Sequence, residues 1–295
     1  MSLAKYEIFS TVVESGSLSR AAEKLNLSQS AVSHAIAGME REWGFLLLSR
    51  GRSGIHLTQN GKHVLPIVRE VLRWNEQLSQ EISKINGIEG GTVRIGTFTS
   101  VSVRWLPAIL KSFNQQYPNI EVKLIEGDYI EIEHWVATGA IDFGFVSLPT
   151  SQSLESIPLT KDRMHCLLPS THPFANKKSI SPLLLKDEDF IVSKKGSDND
   201  VNRVFKKTGL KPKVKFELGD DQAIISMVAN ELGVSILPEL VLYRVPDNLR
   251  VIPIEGEFYR TIGLTTVSLE TISPAAKKMI NHIKRAVENP DSTIL

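Results

Sequence analysis

The chain of 295 residues lacks features that mark several common classes of protein. It has a single cysteine, Cys166, so it cannot form a disulfide within itself, and the apolar run around this residue predicts a buried strand. No apolar run approaches the ~20 residues that span a bilayer, and the N-terminus lacks the apolar segment of a secretory signal. These absences predict a cytoplasmic protein with no membrane partner.

Signatures of catalysis and of cofactor binding are also missing. The glycine patterns of dinucleotide-binding folds and P-loops do not occur, and neither does the GxSxG turn of hydrolases. The seven histidines show no paired spacing typical of zinc ligands. We therefore predict a protein that is not an enzyme and that uses neither a metal nor another cofactor.

The formal net charge is only +1, so the overall charge does not indicate a nucleic-acid partner. Residues 1–62 contain seven Lys or Arg against five Glu, which is a weak excess of positive charge. Any affinity for DNA must therefore come from the placement of charges, helped by a second copy of the domain.

The segment 17–37, SLSRAAEKLNLSQSAVSHAIA, predicts two short helices joined by a tight turn. Ser17 or Ser19 can cap the first helix, Asn26 tolerates a left-handed turn, and Ser28 can cap the second helix. In a helix-turn-helix, the N-terminal end of the second helix meets base edges in the major groove. The polar side chains predicted to contact DNA there are Ser28, Gln29, Ser30, Ser33 and His34. The buried face of that helix is predicted to consist of Ala31, Val32 and Ile36.

The flanking segments favour DNA binding over the alternative, a plain helix pair inside an unrelated domain. An apolar stripe over residues 3–13 supplies a third helix, and residues 46–58 have strand, turn and strand character with a basic, glycine-rich tip. Such a hairpin can lie beside a recognition helix as a wing. Arg50 and Arg52 at its tip are predicted to contact phosphates or the minor groove.

These sixty residues resemble the winged helix-turn-helix of LysR-type transcriptional regulators. The matching residues are Phe9, Gly16-Ser17, Ala21-Ala22, Leu25, Ser28-Gln29, Ala31-Val32-Ser33, Ile36, Glu40, Gly44, Arg50, Leu57-Thr58 and Gly61. Leu46 and Leu48 replace the usual Pro and Phe, and His34 replaces a frequent Arg. The resemblance implies a regulator that binds double-stranded promoter DNA and responds to a small-molecule effector, with RNA polymerase as a candidate partner.

A long helix is predicted from Thr58 to about residue 87, with Pro66 marking a local bend or a late start. Seven of its residues recur at alternating spacings of four and three, as in a heptad seam. They are Val64, Val68, Val71, Asn75, Leu78, Ile82 and Ile85. This seam can pack on its own domain or on a second copy of the chain. The second interpretation is favoured because it matches the dimerising linker helix of LysR-type regulators, with Asn75 selecting register or orientation.

Beyond a glycine-rich hinge, strands and helices alternate, which predicts an α/β domain with a parallel sheet. The predicted strands are 92–98, 121–126, 142–148, 166–169, 190–194, 213–218, 234–237 and 261–267. The predicted helices are 103–117, 129–138, 198–208, 221–231 and 274–288. The resemblance, carried here by Leu106-Pro107, Gly139 with 142–146, and 233–238, implies a two-lobed fold like that of periplasmic binding proteins.

The predicted fold class is therefore α/β, with an all-α-type winged helix-turn-helix N-terminal domain, a long linker helix and a two-lobed effector domain. The predicted boundaries are 1–58 for the DNA-binding domain, 59–90 for the linker and hinge, and 91–295 for the effector domain. Lobe I is assigned to 91–161 and 267–295, and lobe II to 162–266, with crossovers near Lys161 and Thr266.

An effector site is predicted between the lobes, because ligands of α/β proteins bind beyond the carboxyl ends of strands and at helix N-termini. The residues predicted to contact the effector are Thr99, Ser100, Ser102, Ser147, Ser193, Lys194, Ser197 and Asp220. Ser100, Ser102 and Asp220 can instead be ordinary helix caps, and only the convergence of several caps on one cleft favours a ligand. An anionic metabolite is one candidate, although Lys194 together with Asp220 leaves the charge of the ligand open.

Three other classes of protein fit less well. A solute-binding transport protein would share the two lobes but would not carry residues 1–60. A DNA-acting enzyme would need acid, base or metal-binding residues in a cleft, and a structural DNA-binding protein would not need a ligand domain. The sequence therefore predicts a ligand-responsive transcriptional regulator that acts as a homodimer or homotetramer.

Overall fold

The computed structural model describes residues 2–51, 54–85, 90–194, 196 and 199–288, with the backbone alone at 50, 84 and 199. The N-terminal domain consists of three helices and a hairpin, followed by a long helix. These elements are α1 (Leu3–Ser15), α2 (Leu18–Leu25), α3 (Gln29–Trp43), β1 (Leu48–Gly51), β2 (Gly54–Leu57) and α4 (Gln59–Ile85).

Local capping fixes the turns between the first three helices. Gly16, at φ 61°, ends α1, and Asn26, at φ 54°, ends α2 in the left-handed conformation predicted for it. The hydroxyls of Ser17 and Ser28 each accept a hydrogen bond from an amide three residues further on, at 3.5 and 3.1 Å. Ser17, not Ser19, is therefore the cap of α2, and the cap predicted at Ser28 is confirmed.

The core of the N-terminal domain is apolar and draws on all four helices. Its most buried members are Phe9, Val12, Ala21, Ala22, Val32, Ile36, Met39, Leu47, Leu65 and Val68. On α3 the buried face is formed by Val32, Ile36 and Met39 at helical spacing. Ala31 is exposed, so its predicted burial is wrong, because it lies about 100° around the helix from Val32.

The effector domain alternates strands and helices as the sequence predicts. Its first elements are β3 (Gly91–Thr97), α5 (Thr99–Arg104), α6 (Leu106–Gln116), β4 (Ile120–Glu126), α7 (Tyr129–Ala137), β5 (Phe143–Leu148) and β6 (Glu155–Pro169). The remaining ones are β7 (Asp189–Ser193), α8 (Asn199–Thr208), β8 (Lys213–Leu218), α9 (Asp221–Ala229), β9 (Ser235–Pro238), β10 (Leu249–Pro253), β11 (Tyr259–Thr266) and α10 (Pro274–Glu288). Two short 3-10 turns cover Pro182–Leu185 and Glu239–Val241.

One seven-stranded sheet runs through both lobes in the order β10-β6-β11-β5-β3-β4, and β9 also pairs with β6. Strand β3 pairs in parallel with β4 and β5, as the alternation predicts. Strand β11 is antiparallel to both β5 and β6, so the sheet as a whole is mixed. A separate parallel pair, β7-β8, completes the second lobe. Cys166 lies fully buried in β6, and burial raises the pKa of its thiol.

The crossovers between the lobes lie on β6 and before β11. Strand β6 pairs with β11 along 155–163 and with β9 and β10 along 164–169, so the chain leaves the first lobe just beyond Lys161. Strand β11 pairs along 261–265 with β5, a first-lobe strand. The chain therefore re-enters the first lobe at about Tyr259, and not near the predicted Thr266.

Helix α4 links the two domains within one chain. The Thr58 hydroxyl accepts a hydrogen bond from the amide of Gly61 at 3.0 Å and caps the helix as predicted. Of the two alternatives for Pro66, a late start of the helix is therefore wrong. Midway along it, the Arg69 guanidinium donates to Ser10 Oγ on α1 and to the carbonyl of Thr138 in the first lobe, both at 3.3 Å. The linker helix therefore contacts the DNA-binding domain and the effector domain at the same residue.

Candidate DNA-binding surface and effector cleft

The N-terminal end of α3 presents a small polar surface. Its exposed or half-buried polar side chains are Gln29, Ser30, Ser33 and His34. The Ser28 hydroxyl accepts the amide of Ala31 and lies 2.9 Å from the hydroxyl of Ser30, so it serves the helix start. The exposed methyl group of Ala31 lies among these polar side chains, and apolar groups of this size contact the thymine methyl in DNA complexes.

The hairpin beside α3 is held in place by side chains of the helices. Glu40 Oε1 on α3 accepts the amides of Leu47 and Leu48 at 2.7 and 3.1 Å. Thr58 Oγ1 donates to the carbonyl of Leu46 at 2.7 Å, which ties the same segment to the start of α4. These contacts fix the position of the hairpin relative to α3.

The hairpin itself is the predicted wing. Its strands pair antiparallel with Arg50 opposite Ile55 and Gly51 opposite Gly54. The side chain of Arg50 and all of Arg52 lie outside the described residues.

Helix α4 exposes a row of large apolar side chains, here called the α4 stripe. It consists of Ile67, Val71, Trp74, Leu78, Ile82 and Ile85, between 39% and 82% exposed. Two residues of the predicted seam do not belong to it, because Val64 and Val68 pack in the core of the N-terminal domain. Asn75 is exposed next to the stripe.

A cavity of about 230 Å³ lies between the two lobes. Four of the eight predicted effector residues line it, and they come from both lobes. They are Thr99, Ser100, Ser193 and Lys194.

Arg260 on β11 is buried at this cavity and was not predicted as a site residue. Its Nε donates to Asp162 Oδ2 at 2.8 Å, its Nη1 to the Tyr129 hydroxyl at 2.8 Å, and its Nη2 to Ser100 Oγ at 2.9 Å. The guanidinium also lies 5.1 Å from the centre of the Phe98 ring. The charge of Arg260 is thus matched by Asp162, and three of its nitrogen atoms already donate to the protein.

Asp200 on α8 reaches from the second lobe to the first. It accepts hydrogen bonds from the Tyr129 hydroxyl at 3.0 Å and from Ser147 Oγ at 2.6 Å, and it forms an ion pair with Arg203. Arg203 also donates to the carbonyl of Leu148 at 3.0 Å. Burial raises the pKa of Tyr129, so its phenol stays protonated and can donate. This buried network closes one side of the cleft.

The other predicted effector residues do not line the cavity. Ser147 bonds to Asp200 behind it, Ser102 Oγ lies 3.2 Å from Thr97 Oγ1, and Asp220 is exposed and caps α9. Ser197 lies outside the described residues. The neighbour of Asp220, Asp221, lines the cavity instead, and burial raises the pKa of its carboxyl.

Among the described residues, no group of three or more His, Cys, Asp or Glu is arranged to hold a metal ion. Within the same part of the chain, no helix has the length and apolar character required to cross a membrane.

Family models match the chain in two segments that together span nearly all of it. Residues 3–62 match bacterial regulatory helix-turn-helix proteins of the lysR family, and residues 86–288 match the LysR substrate binding domain. The chain belongs to the LysR family of transcriptional regulators.

Relatives of this LysR-family regulator span its whole length. The uncharacterized HTH-type transcriptional regulator YvbU of Bacillus subtilis (strain 168) is 34% identical over 287 residues, which cover 96% of this chain and 98% of YvbU. The probable HTH-type transcriptional regulator LrrA of Synechococcus elongatus is 32% identical over 295 residues, covering 99% and 100%. These relatives are transcriptional regulators and not enzymes, as the sequence predicts.

Solved structures share the fold of the LysR-family regulator. A full-length OxyR variant from Pseudomonas aeruginosa has a TM-score of 0.78 at 22% identity, covering 98% of this chain and 95% of that one. Full-length BenM has a TM-score of 0.62 at 25% identity, covering 100% and 99%. The predicted fold class, a winged helix-turn-helix followed by a two-lobed effector domain, is confirmed. As a member of this family, the protein is a DNA-binding transcriptional regulator that forms oligomers and has an effector-binding domain.

Sequence reasoning missed the residues that build the floor of the cleft of this regulator. They are Tyr129, Asp162, Asp200, Asp221 and Arg260. The one feature of the sequence that could have indicated Arg260 is its position as the charged residue near the start of the otherwise uncharged strand β11. No pattern in the sequence joins Arg260 to Ser100, because 160 positions separate them.

Proposed function

We propose that this LysR-family regulator reads its operator with Gln29, Ser30, Ser33 and His34, and holds the DNA backbone or minor groove with Arg50 and Arg52. The observation that carries the proposal is the exposed polar end of α3, next to a wing that Glu40 fixes to the same helix. Short hydroxyls, an amide and an imidazole suit hydrogen bonding to base edges. The exposed Ala31 adds an apolar contact to this surface.

Footprinting and binding titrations of the full chain test the role of the wing. Arg52→Ala is expected to weaken binding to all duplexes and to lower the slope of log K against log salt by about one, because one phosphate contact is lost. The matched control is Arg163→Ala, since Arg163 is exposed on β6, a strand of the effector domain. An unchanged salt slope for Arg52→Ala would contradict the assignment.

We infer that the α4 stripe pairs with the same stripe of a second copy, through Val71, Leu78, Ile82 and Ile85 together with Ile67 and Trp74. Support comes from the size of the stripe, since a row of six exposed large apolar side chains on one helix face is costly in water. The weak positive charge of the N-terminal domain also favours two copies on one DNA site. Cytoplasmic location follows as part of the same proposal, since the regulator must reach DNA.

We further infer that a small molecule binds in the cavity between the lobes and shifts the regulator between two states. A ligand can do so only through a difference in its affinity for those states. The cavity borders Ser100, and Ser100 is joined through Arg260 to both lobes, which supports a coupling between occupancy and closure. The lining by Thr99, Ser193 and Lys194 supports the same site.

A reporter gene under the regulator's own operator tests the effector site. Ser100→Val is expected to abolish the response of transcription to the effector and to leave DNA binding intact, because residue 100 lies outside the DNA-binding domain. Ser102→Val is the control, since Ser102 is on the same helix but does not line the cavity. Loss of promoter binding together with a normal affinity for the effector would show that Ser100 is only a structural cap.

A further inference from the structure

We propose that the ligand of the cleft carries a positively charged nitrogen, an ammonium or guanidinium group, which the carboxylate of Asp221 receives. This inference rests on the proposed function of the cavity as the effector site. It concerns the charge of the ligand, which the sequence leaves open.

The charged residues around the cavity are mostly acidic. Among the described residues that line it, five carry carboxylates: Glu126, Asp128, Glu131, Asp200 and Asp221. Two lining residues are basic, Lys194 and Arg260, and Lys194 is exposed at the rim. An anion entering this cavity would meet more repulsion than attraction.

Apart from Lys194 at the rim, the main groups that could bind an anion already have partners. Arg260 donates to Asp162, Tyr129 and Ser100 at 2.8 to 2.9 Å. The amides of residues 101 and 102, at the start of α5, both donate to the carbonyl of Phe98 at 3.0 Å. The helix start that the sequence offered as an anion site therefore has these two donors engaged, and its Thr99 hydroxyl donates to Glu126 at 2.6 Å.

Four of the five carboxylates already accept at least one hydrogen bond of normal length from the protein. Asp128 and Glu131 cap α7 reciprocally at 2.9 Å, as in a capping box. Glu126 accepts the Thr99 hydroxyl, and Asp200 is held by Tyr129, Ser147 and Arg203. These four therefore have structural roles that a ligand would have to disturb.

Asp221 differs from them. Its carboxylate accepts a hydrogen bond from Ser193 Oγ at 3.5 Å, the outer limit of such a contact. The cation that acts on it most strongly is Arg260, which is already paired with Asp162. Burial raises the pKa of Asp221, because its negative charge loses contact with water and is not fully balanced by a nearby positive charge. A cationic group in the cavity would balance that charge.

The rest of the lining limits the ligand to a small molecule with an apolar part. Met164, Ile236, Leu237 and Val241 give the cavity an apolar part. The volume of about 230 Å³ lies below the range of about 300–1,000 Å³ usual for ligand pockets. A short alkyl amine or guanidine, or an amino acid derivative with a free ammonium group, fits this description.

Thermal unfolding of the full chain with matched probes tests the charge of the ligand. The probes are 3-methylbutan-1-amine, 3-methylbutylguanidine, 3-methylbutan-1-ol and 3-methylbutanoate, each at about 10 mM, and they differ mainly in the charge of one end. Both cationic probes are expected to raise the Tm of the effector-domain transition by about 2 °C or more, and the alcohol and the carboxylate to leave it unchanged.

Two neighbouring variants separate the site from general charge effects. Asp221→Asn is expected to weaken binding of the amine at least tenfold and to remove its Tm shift. Asp220→Asn, which removes an equal charge one residue away from the cavity and retains a side chain able to cap α9, is expected to keep the shift. Asp221→Glu retains the carboxylate and should keep part of the Tm shift. It therefore distinguishes loss of the negative charge from a general disturbance of the cavity.

Three results would overturn the proposal: no shift from either cationic probe, a shift that survives in Asp221→Asn, or stabilisation by 3-methylbutanoate. If Ser100→Val abolished a shift caused by 3-methylbutanoate, the cleft would remain the effector site and only the charge assignment would fail. DNA binding is measured independently of Asp221, so failure of the proposed regulatory function would be seen separately.

Discussion

The DNA-binding domain and the effector cleft differ in how far apart along the chain their interacting residues lie. The contacts that shape the first domain are short in sequence: Ser28 caps an amide three positions away, and Glu40 reaches seven positions to Leu47. Around the cleft, Asp162 and Arg260 are 98 positions apart, and Ser100 and Arg260 are 160 apart. A surface built from local contacts can be predicted from a sequence, whereas a cleft built from distant ones requires the fold.

The two regions also differ in what they bury. The described core of the N-terminal domain is apolar, with Ser10 as a buried polar residue. The effector domain buries charged side chains, among them Asp142, Asp162, Asp200 and Arg260. Buried charges cost free energy unless they are paired, so the effector domain should respond much more strongly to single substitutions and to pH.

The largest effect is expected from breaking the charge pair at the cleft. Arg260→Met leaves Asp162 buried without its partner and should lower the free energy of unfolding of the effector domain by about 3–5 kcal/mol. Arg163→Met, on the exposed side of β6, should change it by less than about 0.5 kcal/mol. Calorimetry of both variants measures the difference, and equal stabilities would refute the role of the buried pair.

A substantial effect is also expected on assembly. Ile82→Glu places a charge on the α4 stripe and should raise the dimer dissociation constant at least 100-fold, about 2.7 kcal/mol, with poor DNA binding as a consequence. Ser79→Glu, which adds the same charge on an exposed position beside the stripe, should leave the dimer intact. Sedimentation at micromolar concentration distinguishes them, and an intact dimer of Ile82→Glu would argue against the stripe.

A pH effect from one buried carboxyl is expected in the effector domain. Asp142 accepts the amide of Arg94 at 2.6 Å, and burial raises the pKa of its carboxyl to about 6. The folded state then binds more protons than the unfolded state between about pH 4 and 6, so this group lowers stability as pH rises through that range.

Replacing Asp142 by Asn keeps an acceptor and removes the titration. The variant should gain about 1–3 kcal/mol relative to the wild type at pH 7.5 and almost nothing at pH 4. The unfolding transition of the N-terminal domain serves as the internal control. A stability difference that does not vary with pH would contradict the expectation.

The smallest effect in this series concerns sequence discrimination by the DNA-binding domain. Ser33→Ala should reduce the preference for the operator over altered duplexes by about 1–3 kcal/mol if Ser33 contacts a base directly. Ser19→Ala, at an exposed position of α2 that does not cap the helix, should leave that preference unchanged. Equal discrimination by both variants would remove Ser33 from the reading surface.

Where sequence reasoning succeeded, the signals were local. Caps, left-handed turns and apolar spacing predicted the helices of the N-terminal domain. The alternation of strands and helices predicted the parallel pairing of β3 with β4 and β5. Sequence reasoning failed where packing against distant parts of the chain determines which residues are buried. Val64 and Val68 have the heptad spacing of a seam, but they pack in the core of the N-terminal domain, and periodicity alone does not identify what a helix face packs against.

Strands β6 and β10 of the effector domain were also not fully predicted from local sequence patterns. Only 166–169 of β6 and none of β10 was predicted, because the first part of β6 includes Pro158 and a polar run, 160–163. The pairing of β6 with β11 shifts register here, since Ile262 pairs with Thr160 and Gly263 with Pro158, as in a β-bulge. Asp162 and Arg260 are paired at this crossover. Because the first part of β6 was not predicted, this charged pair at the cleft was not predicted either.

Selection of duplexes from a random library by the full chain tests whether two copies of α3 read one operator. If the exposed end of α3 reads bases in a dimer held by the α4 stripe, the selected pool should contain two related half-sites. Their centres should lie a whole number of helical turns apart, about 10 base pairs or a multiple. Ile82→Glu should lose the paired arrangement. A pool without enriched sequence, or with single half-sites bound equally well by both proteins, would contradict the account.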